Sequence, residues 1–69
     1  MTTQSEILKT VNKTGFYSAR LYVSDRSVRG LNEVNPAKKM VKKGQLKLIK
    51  EDKEVRDGME IVDYTWAKI

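Results

Sequence analysis

The chain has 69 residues, no cysteine, no histidine and a formal net charge of +5. That length makes one domain, 1–69, whose small core supplies only ~3–5 kcal/mol of net stability. Without Cys or His there is no disulfide, no zinc-finger-type metal site, no thiolate nucleophile and no imidazole acid or base, so no catalytic residue, metal or cofactor is expected. Hydrophobic residues at 39% and charged residues at 33% suit a folded domain rather than a disordered chain. No apolar run approaches the ~18–20 residues of a membrane span, and the polar start, Met1 to Thr10, lacks an apolar signal core. The expected location is the cytoplasm, on the nucleoid if the protein binds DNA.

Residues 3–13 read as a first helix. Thr3 with Glu6 three residues later is a capping box, and Ile7, Leu8 and Val11 form an apolar stripe at helical spacing. Gly15 supplies the stop. Residues 16–23, FYSARLYV, alternate in a strand pattern rich in aromatic and β-branched residues: Tyr17, Ala19, Leu21 and Val23 on one face, Phe16, Ser18, Arg20 and Tyr22 on the other. If this stretch were instead helical, 25–34 would become the recognition helix, carrying Arg26, Arg29 and Asn32.

Residues 25–34 read as a second helix, capped by Ser24 or Asp25, with Gly30 an unfavourable interior residue unless another element approaches it closely. Asn35-Pro36 reads as the cap and first residue of a third helix, running from Pro36 to Lys43 and stopping at Gly44. Ala37, Met40 and Val41 form its apolar face. A β-hairpin follows, with arms Gln45–Lys50 and Met59–Lys68 and a turn at Asp57-Gly58 inside an acidic loop. Val62, Tyr64 and Trp66 share one face of the second arm, and Trp66 is expected to be buried.

Charge is distributed unevenly along these elements. Residues 34–50 carry Lys38, Lys39, Lys42, Lys43, Lys47 and Lys50 with no acid, whereas 51–63 carry six acids against Lys53 and Arg56. Such a dipolar chain orients itself on a polyanion. Lys38/Lys42 and Lys39/Lys43 are like-charge i,i+4 pairs, each destabilising a helix by ~0.2–0.5 kcal/mol, which a polyanion would offset. A solvated, solubilising face is the competing account of the same lysines. Arg26 and Arg29 can grip phosphates or read guanine edges, or pair with Asp25 and Glu33.

The capped Ile7-Leu8-Val11 helix, the consecutive helices 25–34 and 36–43, the exit Met40-Val41-Lys42-Lys43-Gly44-Gln45-Leu46 and the aromatic Trp66 together resemble the winged helix-turn-helix DNA-binding proteins. That resemblance implies an α+β, winged-helix-like fold of three short helices, a short strand and a C-terminal hairpin wing; a different small α+β arrangement is the competing architecture. It also implies a non-enzymatic regulator or accessory factor of duplex DNA. Helix 36–43 would lie on the major groove, with Lys38, Lys39, Lys42, Lys43, Lys47 and Lys50 on phosphates and Asn35, Gln45, Arg26 and Arg29 as positioning or base contacts. The alternative is a non-catalytic adaptor or inhibitor that binds another protein through the acidic residues 51–60 or the edge of strand 16–23.

Overall fold

The computed structural model describes residues 3–69; Met1 and Thr2, the start of the polar N-terminal stretch, lie outside the described residues. The element order is α1 (Gln4–Thr14), β1 (Phe16–Val23), β2 (Val28–Arg29), α2 (Leu31–Lys42), β3 (Leu46–Arg56) and β4 (Met59–Lys68). The four strands form one antiparallel sheet in the order β2-β1-β4-β3. Both helices pack on one face of it and the opposite face is open. The fold is therefore α+β with two helices and four antiparallel strands, and the three-helix, winged-helix-like arrangement expected from the sequence is corrected.

The first two elements follow their local chemistry. The Glu6 N–H donates to Thr3 Oγ1 at 3.2 Å and closes the start of α1. Gly15, at φ 91°, ends it by donating its N–H to the Val11 carbonyl. In β1 the residues Tyr17, Ala19, Leu21 and Val23 face the helices, as their alternation requires.

The expected second helix, 25–34, is where sequence and structure part. Ser24 does act as a cap, but of a turn. Its N–H donates to the Ser27 carbonyl at 2.9 Å and its Oγ accepts from the Ser27 N–H at 3.3 Å. The chain then reverses into β2, with Val23 opposite Val28 and Tyr22 opposite Arg29. The same short hydroxyl side chains that cap helices also close tight turns, and here the turn takes the Ser24 hydroxyl. Gly30 follows at φ 94°, and a Cβ there would lie 2.2 Å from the Arg20 carbonyl oxygen. It is the close approach that lets the chain leave the sheet edge and enter α2.

α2 begins at Leu31, so Asn35 is not an N-cap and Pro36 lies inside the helix. Pro36 forfeits one backbone hydrogen bond, to the carbonyl of Asn32 on the exposed side. The helix persists because Val34, Ala37 and Met40 are all buried in the core at helical spacing. Its end is a Schellman motif, with the Gly44 N–H on the Val41 carbonyl and the Gln45 N–H on the Met40 carbonyl.

The expected acidic loop 51–57 is strand. β3 runs unbroken to Arg56, and a two-residue turn at Asp57 (φ 52°) and Gly58 (φ 75°) joins it to β4. Positive φ at both central residues is the hairpin geometry that Asp-Gly favours. The core lies between the helices and β1, β4 and the start of β3. Trp66 is 1% exposed, stacked between Tyr64 and Tyr17 at ring-centroid distances of 5.3 and 5.8 Å. The Tyr17 hydroxyl donates to the Glu33 carbonyl of α2 at 3.0 Å. Among the described residues no helix is long and apolar enough to cross a membrane.

Candidate nucleic-acid interface

Register fixes which charges share a surface. Phe16 and Leu46, the first residues of β1 and β3, pair with Ala67 and Lys68 at the same end of the sheet. Each is preceded by a helix, so both helix C-termini arrive at that end. Lys13, near the end of α1, and Lys68, at the end of β4, lie at that end; Lys42 and Lys43 stand at the end of α2, with the Lys43 ammonium turned to Gln4 at the start of α1. Cations at helix C-termini also complement the helix dipoles. With Lys9, Lys38 and Lys39 they make a helical layer that carries only two carboxylates, Glu6 and Glu33.

These cations keep their charge unneutralised. Lys43 Nζ donates to Gln4 Oε1 at 3.1 Å and Lys68 Nζ to Asn12 Oδ1 at 3.2 Å, both neutral amide oxygens. Lys38 Nζ sits 5.3 Å above the Tyr64 ring centroid, a cation–π contact between α2 and β4. Among the described residues no lysine of either helix forms an ion pair. The four ion pairs found there all lie within the sheet: Arg20–Asp63 at 2.6 Å, Lys50–Asp52 at 3.5 Å, Lys53–Glu60 at 4.0 Å and Arg56–Glu54 at 2.6 Å.

The open face of the sheet is thereby knitted together. Arg20 is held by Asp63 and by the Tyr22 hydroxyl, and these hydrogen bonds push its guanidinium even further above its ordinary pKa. Ser18 and Thr65 share a hydrogen bond beside it.

The structure divides the sequence-predicted residues. Lys38, Lys39, Lys42 and Lys43 are together and exposed on α2 and its cap. Asn35 is exposed on the same helix, on the side that faces α1 and lines a cleft with Gln4 and Lys39. The Gln45 backbone closes α2. Lys47 and Lys50 are on the opposite, open face, opposite Ala67 and Thr65. Arg26 lies in the 24–27 turn, and Arg29 is on β2 beside Tyr22, toward the far end of the sheet. Neither is on a helix, Arg29 coming just before the Gly30 N-cap of α2, at the end of that helix away from Lys42 and Lys43.

Lys9, Lys13 and Lys68 were the residues that sequence reasoning missed. The like-charge i,i+4 pair Lys9/Lys13 is a signal of the same kind as Lys38/Lys42. Among the described residues no group of three His, Cys, Asp or Glu is placed to hold a metal ion. No protein-family model, curated protein or solved structure matches this chain.

Proposed function

We propose that this protein binds the phosphate backbone of nucleic acid, duplex DNA in the first instance, through its two-helix layer. The observation that carries the reading is the segregation of charge pairing: the four ion pairs among the described residues all lie within the sheet, while the two helices and the α2 cap hold six lysines, joined by Lys68 at the end of β4, none of them in an ion pair. A purely solubilising surface gains nothing from one sign on one side. A surface meant for a polyanion does, because each phosphate contact releases counterions.

α2 lies flat on the sheet, so its lysines approach phosphates side-on. The reading is a backbone-positioning contact with little direct base readout. The role is that of a cytoplasmic, nucleoid-associated regulator or accessory factor without catalytic chemistry. Fluorescence anisotropy with labelled duplex tests it. Binding should be measurable at ~50 mM salt and weaken steeply toward ~200 mM. No binding of micromolar protein at the lower salt would overturn the reading in favour of a protein-binding adaptor.

A further inference from the structure

Four of the apolar side chains left outside the core lie along one border of the molecule. Val41 on α2 and Leu48, Ile49 and Val55 on β3 are exposed, Ile49 by 54% and Val55 by 74%. Among the described residues β3 is an edge strand whose only neighbour is β4, so one row of its backbone N–H and C=O groups has no strand beside it. Between α2 and β3 runs an apolar groove of about 260 Å³, lined by Lys38, Val41, Lys42, Leu48, Tyr64 and Trp66.

Charges on an edge strand normally repel another edge. On β3 their order does the opposite for one partner. The stretch Lys50-Glu51-Asp52-Lys53-Glu54, laid antiparallel against itself about Asp52, sets Lys50 opposite Glu54 and Glu51 opposite Lys53, each twice. The faces agree as well. Lys50, Asp52 and Glu54 are on the open face, opposite Thr65, Asp63 and Ile61, while Glu51, Lys53 and Val55 are on the helix face, opposite Tyr64, Val62 and Glu60.

The irregularity between Leu48 and Lys50 completes the match. Ile49 is the extra residue of a bulge, and it turns Leu48 onto the helix face with Val55. In the same register Leu48 then meets the partner's Val55 at the mouth of the groove. Two like-charge positions remain. At the axis Asp52 faces its own copy, each with Lys50 at 3.5 Å, and Lys47 faces the partner's Arg56, which Glu54 holds at 2.6 Å.

We propose that β3 pairs with β3 of a second copy of this chain, centred on Asp52, to give a two-fold dimer with one continuous eight-stranded sheet. The pairing is isologous, so it closes at two copies and leaves β2 as the outer edge. Both helical layers then lie on the same side. The proposal does not depend on nucleic-acid binding and is tested without nucleic acid.

Sedimentation equilibrium of the full chain should give twice the monomer mass as concentration rises toward about 0.5 mM at low salt, the range in which a weak dimer is populated. Lys50→Glu and Glu54→Lys each place like charges opposite one another twice, and each alone should weaken dimerisation at least tenfold. Mixed together they restore both opposite-charge pairs and should dimerise with each other. Both side chains are more than half exposed, and melting curves check that the variants fold.

A separate arm uses Asp52→Cys, the sole thiol in an otherwise cysteine-free chain. Directly opposed strand residues are ~4.5–5.5 Å apart at Cα, within disulfide range, so mild oxidation should link two copies of this variant. Arg56→Cys, distant from the axis, should not link. A wild type that stays monomeric throughout, charge-swapped variants that do not complement, or equal cross-linking of the two thiol variants would overturn the proposal.

Discussion

α2 and β3 follow each other in the chain and are both rich in charge, yet they handle it in opposite ways. From Lys38 to Lys43 every charge on α2 and its cap is positive and none has a carboxylate partner among the described residues. On β3 Lys50 pairs with Asp52, Arg56 with Glu54, and Lys53 with Glu60 across to β4. Exposed pairs of this kind contribute ~0–1 kcal/mol each, so their effect is less on stability than on the field the surface projects. The lesson is that local pairing decides whether a charged segment is visible to a distant partner. The strand looks highly charged in sequence and is nearly neutral in space, whereas the helix keeps its full charge.

Breaking the scaffold that holds the two regions apart should have the largest effect. Trp66→Ala empties the stack between Tyr17 and Tyr64 and should cost ~3–5 kcal/mol, as much as the whole stability of a domain this size. A denaturant melt reads it directly, and a wild-type midpoint would contradict the core assignment.

Replacing Lys38, Lys39, Lys42 and Lys43 with Gln tests the unpaired side of the comparison. Gln is a sound helix former, so the fold should hold or gain a few tenths of a kcal/mol from relieved repulsion. DNA affinity should fall, and the slope of log K against log salt should shrink by up to ~0.9 per lost contact. An unchanged slope in a folded variant would move recognition off α2. The smallest effect is expected at the tip of the β3–β4 hairpin. Asp57→Asn keeps a residue suited to positive φ in the turn and should change DNA affinity by less than about twofold, in the direction of tighter binding. A larger loss would mean that the hairpin tip touches the ligand.

Much of the fold was legible where one signal had one structural meaning. Thr3 with Glu6, the alternation of 16–23, the glycine stops at Gly15 and Gly44 and the Asp57-Gly58 turn all did what their chemistry suggests. Misreadings fell where one signal served two structures. Ser24 closes a turn with the same hydroxyl that would have capped a helix. Asn35-Pro36 imitates a helix start, but the burial of Val34 carries α2 through it from Leu31. Residues 51–56 lack an apolar alternation because this end of β3 is an exposed edge, and edge position depends on the whole sheet. For the candidate interface, the lysine quartet is read directly. The Lys9/Lys13 pair is visible as like charge on one helix, but its place beside α2, and that of Lys68, follow from the packing of α1 and the closing of β4 against β1, which are long-range events.

The sheet order has a consequence for how the molecule is made. β4 is the last of the six elements, yet it occupies the interior of the sheet, between β1 and β3. The hairpin of β3 and β4 can form early, since its turn is two residues long. The pairing of β1 with β4 joins positions such as Ser18 and Thr65, which are 47 residues apart. Closure over that span is the slow, entropically costly step. During synthesis β1 therefore emerges long before its main partner, with Tyr17, Leu21 and Val23 uncovered and only β2 to pair with. The nascent chain is most prone to aggregation in that interval, and its folding becomes a single late event once β4 is available.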